Sequence, residues 1–260
     1  MSAPVPIRPA STLLLLREQQ TLEVLMVVRH TAIDFNSGAM VFPGGKIEES
    51  DGSDDWKDDT VGWDETPPEE RAPRVAAIRE AFEESGILLA RHGDGREFLG
   101  DDAVTAARKD VHDGKRDFRD LVRTHGLKLD FTDLVPYARW VTPAHMHKRF
   151  DTFFYLAVAP AEQLAICDGH ETVEAEWLSP SAALEQARDG KRTLVFPTRL
   201  NLKMLAESAT VDAAIAASRT RTIVSVEPFV ETRGDAKYLC IRDDAGYGAV
   251  SELIPRKPKQ

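Results

Sequence analysis

Within the 260-residue chain, the stretch Arg79-Glu80-Ala81-Phe82-Glu83-Glu84-Ser85-Gly86-Ile87 combines residue types and spacing that could do chemistry. On a helix turning about 100° per residue, Glu80, Glu83 and Glu84 share one arc of about 100°, while Val75, Ile78 and Phe82 centre on the opposite side. The spacing predicts a helix that buries its apolar side and gathers three carboxylates on the other. Crowded like charges raise one another's pKa and are unfavourable without a partner. Hard divalent cations suit clustered carboxylate oxygens. Arg79, four residues before Glu83, can pair with it and orient it while its neighbours face a metal. Three glutamates alone would read as a solvated acidic helix face. The flanking Phe42-Pro-Gly-Gly45 and the closing Gly86-Ile87 favour the chemical reading.

The elements that must position these residues are legible in outline. Apolar runs at 13–16 and 22–28, separated by Arg17-Glu-Gln-Gln-Thr, predict a hairpin of two strands. After Ala39-Met-Val-Phe42, Pro43-Gly44-Gly45 permits a close backbone approach that side chains would block. Thr66-Pro-Pro-Glu69 has the form of a helix start with a capping threonine. Pro73 would remove a hydrogen bond from such a helix, so the longer helix is expected to begin near Pro73, after a separate turn. Gly86 marks its stop. Residues 93–132 are polar with helical patches. Strands are expected at 134–141 and 150–158, helices at 179–188, 198–207 and 211–218, and a closing pair of strands at 222–231 and 237–242.

Composition narrows the function classes. The chain carries 33 Lys+Arg against 43 Asp+Glu, a formal charge of -10. Eleven acids and one base, Lys57, lie between Glu48 and Glu70, and the remainder is neutral. Nucleic-acid binding, which needs a basic footprint, is therefore disfavoured. The acidic stretch is expected to loop out into solvent. No apolar run approaches the roughly 20 residues of a membrane helix, so no membrane partner is expected. Cys167 and Cys240 stand apart without ligand-spaced neighbours, which suggests ordinary thiols, and the chain start shows no signal core; both point to the cytoplasm.

Together these residues resemble the Nudix box, G-x5-E-x7-R-E-U-x-E-E-x-G-U with U apolar. Gly45 starts the match, and Arg79 to Ile87 complete it with Ala81 at an apolar position. Asp51 occupies the first glutamate position, and 27 residues rather than seven separate it from Arg79, so an acidic insertion interrupts the box. The segment 38–45 following Arg29 is similar to the stretch that precedes the box in coenzyme A diphosphatases, although His30 and Asp34 replace a small residue and an arginine. The interrupted box, Trp140-Val-Thr-Pro143 and Arg149-Phe-Asp-Thr-Phe-Phe154 are similar to the peroxisomal branch of that group, over about 13–205.

The resemblance implies an α/β fold, a Nudix α/β/α sandwich with a mixed sheet. It would comprise a domain over 1–208, an acidic insertion at about 50–68, a helical insertion at about 93–132, and a C-terminal extension over 209–260 packing on the domain or on a partner subunit; a homodimer is one such arrangement. It implies hydrolysis of a pyrophosphate bond in a small nucleoside-diphosphate-linked molecule, foremost coenzyme A or acyl-coenzyme A. Dinucleotides, nucleotide sugars or a cap are the alternative substrates, and a non-enzymatic ligand sensor is a third reading. Implied metal ligands for Mg²⁺ or Mn²⁺ are the Gly45 carbonyl, Glu80, Glu83 and Glu84. Arg79, Glu80, Glu84 and Glu174 (or Glu171) carry catalysis in this scheme, with Arg29, Gly44, Gly45 and Arg149 on the substrate. If Asp34 leaves a contact unfilled, Arg149 or Lys148 is expected to supply it. His145 and His147 read as exposed loop residues, and Trp140 and Trp177 as core.

Overall fold

The computed structural model describes residues 5–30, 38–167 and 172–254. In chain order the first elements are β1 (Ile7–Glu18), β2 (Leu22–Arg29), β3 (Met40–Val41), β4 (Gly44–Lys46), β5 (Thr60–Val61) and α1 (Pro68–Ser85). Next come β6 (Ala90–His92), α2 (Asp102–His112), α3 (Phe118–Thr124), β7 (Leu127–Asp130), β8 (Val135–Val141), β9 (Arg149–Val158) and β10 (Thr172–Leu178). The chain continues with α4 (Pro180–Arg188), α5 (Phe196–Leu205), α6 (Val211–Thr220), β11 (Ser225–Val226), β12 (Phe229–Arg233), β13 (Ala236–Cys240) and β14 (Ser251–Leu253).

Alternation along β1 explains the layering. Leu13 and Leu15 point into one core with Val75, Ile78 and Phe82 of α1, whereas Leu14 and Leu16 point into a second core with Leu202 and Leu205 of α5. A sheet buried on both faces must be covered twice, and helices do so here. The main sheet runs β10-β2-β1-β9-β8-β11, with β3 on β2 and β4 on β1. It is mixed, since β1 pairs with β9 in parallel and with β2 antiparallel. The expected α/β/α sandwich is thus the observed architecture. The C-terminal extension packs on the domain: Val226 joins the sheet beside Trp140, and Ile241 and Ala245 enter the second core.

Three expectations are corrected. Thr66 does not cap α1; its hydroxyl donates to the Gly62 carbonyl at 2.7 Å, and Pro67 takes the cap position. Pro73 does not begin the helix but lies inside it. The lost bond falls near the first turns, which are fastened otherwise. The Arg74 guanidinium donates to the Glu70 carboxylate and to the carbonyls of Phe131 and Leu134. Third, the acidic insertion does not loop out. Trp56 and Trp63 are only 2% and 5% exposed and meet Phe118 and Phe131. β5 pairs in parallel with β7 of the helical insertion, and Arg119 binds Asp55 and Asp59. Burial of two indoles and local arginine pairing outweigh the solvation of the acids.

Trp56→Ala is expected to lower the unfolding free energy by about 3–5 kcal/mol, in the range for emptying a buried aromatic site. Urea denaturation checks it, because a tryptophan on a solvated loop would change stability by under about 0.5 kcal/mol.

Candidate active site

Arg79 is buried beneath the last turns of α1, and its five N–H donors are all used. Nε and Nη2 donate to the two oxygens of Asp51, both at 2.9 Å; Nη2 also donates to the Lys46 carbonyl at 2.8 Å. Nη1 reaches Glu80 at 3.0 Å and Glu83 at 3.2 Å. Asp51 is itself oriented by the Glu48 N–H at 2.8 Å. Despite 27 intervening residues, Asp51 therefore stands beside Arg79: the insertion departs after Asp51 and returns to the start of α1 with the Asp51–Arg79 pair in place.

Two glycines admit the carboxylates. A Cβ on Gly45 would lie 2.5 Å from the Glu80 carboxyl group, and one on Gly44 would lie 2.5 Å from the Ser11 carbonyl oxygen. The Gly44 N–H donates to Glu84 at 3.0 Å. The helix end is held from the other side, where Arg108 donates to the Glu83 carbonyl at 2.8 Å and the Thr172 hydroxyl to the Glu84 carbonyl at 3.2 Å. The carboxylate side of α1 is not a solvated face, since Glu84 is buried.

Burial raises the Glu80 pKa to about 7, with Arg79 opposing and Glu83 adding to the rise. Glu83 is raised as well, by burial first, against the pull of Arg79. For Arg79, burial works against the charge, yet the hydrogen bonds to Asp51 and the fields of Glu80 and Asp51 outweigh it and push the pKa upward. One arginine thus faces more negative charge than it can neutralise. Among the described residues no three His, Cys, Asp or Glu side chains converge on a single point at metal-ligand spacing. Glu80 and Glu83 turn to Arg79, and Glu84 turns to the Gly44 N–H. The donor set fits a hard cation in kind, being all oxygen, and the space a Cβ at Gly45 would fill lies against the Glu80 carboxylate.

These groups open into a cleft of about 720 Å³ lined by Arg29, Gly44, Gly45, Arg79, Glu80 and Glu83, among others. Arg29 lies 3.9 Å from Glu84. Two expected site residues are not brought there. Glu174 is 51% exposed at the side chain and paired with Arg192, outside the lining residues. Arg149 donates to the Thr142 carbonyl and to Glu227 at 2.8 Å, which turns it away from the cleft; its neighbour Lys148 lines it instead. Asp34 and Glu171 lie outside the described residues. Trp140 is buried and also forms part of the cleft wall, as does His145. Sequence reasoning passed over Arg8, Lys46, Glu48 and His112 as cleft residues. His112 sits 3.8 Å from Glu83, delivered by α2, and no motif spacing marks it.

The sheet, the Arg79-centred carboxylates and the glycine pair are those of a Nudix hydrolase fold. A crystal structure of a Nudix hydrolase from Alicyclobacillus acidocaldarius superposes with a TM-score of 0.72 at 29% identity, covering 82% of this chain and 97% of that one. The family model for the NUDT19 Nudix domain matches residues 57–205, and the chain belongs to that family. It is 30% identical over 187 residues to putative nudix hydrolase 7 of Caenorhabditis elegans, covering 72% of this chain and 57% of that protein. It is 28% identical over 233 residues to the human acyl-coenzyme A diphosphatase NUDT19, covering 72% and 61%. The chain thus spans about three fifths of the length of these curated relatives.

A pH dependence follows from Glu80. Its folded pKa of about 7 lies above the usual 4.5, so its contribution to stability is present below about 4.5 and lost as pH rises through 7. In chelator, thermal unfolding is expected to show wild-type protein losing stability relative to Glu80→Gln between about pH 5 and about pH 8. Added Mg²⁺ should reverse that loss. A difference between the two proteins that does not change with pH would show that Glu80 is not strained by its charge.

Proposed function

We propose that the chain is a divalent-metal-dependent hydrolase that cleaves the pyrophosphate bond of coenzyme A or an acyl-coenzyme A. The observation that carries this reading is the excess of buried carboxylate charge around Arg79, at one end of a cleft that also holds Arg8, Arg29, Lys46 and Lys148. Such a pairing of cation-seeking oxygens with phosphate-seeking bases suits a diphosphate ester. The names of the human and Xenopus laevis relatives, acyl-coenzyme A diphosphatases, support the substrate class.

Glu80, Glu83, Glu84 and the Gly45 carbonyl would hold Mg²⁺ or Mn²⁺, which supplies charge neutralisation at the diphosphate and lowers the pKa of a nearby water. Arg79 orients Glu80 and Glu83, and Asp51 keeps Arg79 in place. Arg29 and the basic cleft residues bind phosphate oxygens. Water attacks one phosphorus, the bond to the bridging oxygen breaks, and a carboxylate takes the water's proton. Glu48 lines the cleft and is better placed for that proton than Glu174, which is engaged by Arg192. The free thiols Cys167 and Cys240 fit a reducing compartment, in keeping with the cytoplasm. No helix among the described residues is long and apolar enough to cross a membrane.

Turnover of coenzyme A, with products read by mass, is expected to stop in excess chelator and to fall at least about a hundredfold in Glu84→Gln, some 2.7 kcal/mol of transition-state stabilisation. Full activity in chelator would refute the metal requirement, full activity in Glu84→Gln would remove that carboxylate from the reaction, and no turnover by wild type would refute the enzymatic reading. Lys148→Ala is expected to weaken turnover of coenzyme A more than that of dephospho-coenzyme A, about tenfold against little change, as expected for loss of a charge-assisted phosphate contact. Equal losses on both compounds would remove Lys148 from the 3'-phosphate.

A further inference from the structure

Strand register gives the cleft a direction. Lys46 of β4 pairs with Ala10 of β1, Ala10 with Thr152 of β9, Thr152 with Trp140 of β8, and Trp140 with Val226 of β11. With neighbouring strands about 4.8 Å apart, this row spans about 19 Å. At the β4 end stand Lys46, Glu48, Arg79, Glu80 and Glu83, while His145 and Lys148 enter from the loop between β8 and β9. At the β11 end the lining becomes Trp140, Phe196, Pro197, Pro228 and Leu239. Pro228 and Leu239 belong to the C-terminal extension, beyond the residues matched by the family model.

That far wall is built rather than incidental. Trp140 meets Phe196 edge-on at 5.9 Å, and its indole N–H donates to the Tyr247 hydroxyl at 3.0 Å. Tyr247 in turn donates to Asn201 at 2.6 Å, and Arg199 holds Glu252 through two bonds of 2.5 Å. Arg149 binds Glu227, the residue before the buried Pro228, which gives that arginine a positioning role in place of the phosphate contact expected from the sequence. The donor of the Trp140 indole is consumed internally. A purine would need hydrogen-bond partners that the indole N–H no longer offers, and burying its polar edge unpaired is unfavourable. An alkyl chain has no such need and gains by leaving water.

We propose that Pro228 and Leu239 form the end wall of an apolar subsite that receives the acyl group of an acyl-thioester substrate, so that the C-terminal extension sets the chain length the cleft accepts. This inference rests on the reading of the cleft as that of a coenzyme A diphosphatase. Its test compares wild type, Leu239→Trp and Leu239→Ala on free coenzyme A, acetyl-coenzyme A and dodecanoyl-coenzyme A. Binding of S-dodecyl pantetheine, which lacks the diphosphate, is measured alongside by calorimetry.

Leu239→Trp is expected to lower the kcat/KM ratio of dodecanoyl to free coenzyme A by about tenfold, and to weaken S-dodecyl pantetheine binding by a similar factor. Leu239→Ala should move the preferred chain length upward, which keeps the test decisive if the larger side chain disturbs folding. Equal losses on all three thioester and thiol substrates would mean that the wall meets the nucleotide or is only structural, and would overturn the proposal. Were wild type to cleave none of them, the diphosphatase reading would fall by itself. The alkyl probe would still decide the subsite, since no binding to wild type, or equal binding to both variants, overturns it.

Discussion

The five hydrogen bonds of Arg79 are the constraint on which the site depends. A guanidinium can be buried only when its donors are met, and here the acceptors come from three different parts of the fold. Asp51 belongs to the start of the acidic insertion, the Lys46 carbonyl to β4, and Glu80 and Glu83 to the helix itself. Holding Arg79 therefore fixes the insertion, the glycine strand and the carboxylate turn relative to one another. Glycine at 44 and 45 follows from the same constraint, because any side chain there would collide with the Glu80 carboxyl group or the β1 backbone.

That arrangement stores an electrostatic imbalance. Burial and neighbouring acids raise Glu80 and Glu83, and the arginine beside them offsets only part of the effect. Acids held ionisable at such a cost to their charge suit the proposed cation, and the bases across the cleft suit the proposed phosphate. The two insertions serve this arrangement. One contributes Asp51; the other contributes Arg108, which caps the carboxylate turn, and His112 beside Glu83. Their mutual packing, through Trp56 on Phe118 and β5 on β7, makes them a single support rather than two appendages.

The cleft changes character across the sheet. Its charged end is set by α1 and β4, and its apolar end by β8, α5 and the C-terminal extension, so the two halves of a long substrate would meet surfaces from distant parts of the chain. The ion pair between Arg149 and Glu227 and the Trp140–Tyr247 hydrogen bond join the extension to the sheet that carries the site.

The sequence by itself determined the carboxylate helix, its glycine partners and the hairpin, because these follow from short-range spacing: period 3.6 for Val75, Ile78 and Phe82, alternation for Leu13 to Leu16, and glycine where the backbone must pass closely. The sandwich class followed from the resemblance of these residues to the Nudix box. It misplaced the start of α1, since the bonds from Arg74 to Phe131 and Leu134 that make Pro73 tolerable span some sixty residues. It read the acidic stretch by its charge and missed that Trp56 and Trp63 would pull it inward. Which charged residues meet the cleft was decided only by tertiary structure. Lys148 and Arg149 are adjacent in a strand entry, yet one lines the cleft and the other binds Glu227. Their fates differ because Lys148 ends the bend before β9 while Arg149 opens the strand, where the Thr142 carbonyl and Glu227 take its donors.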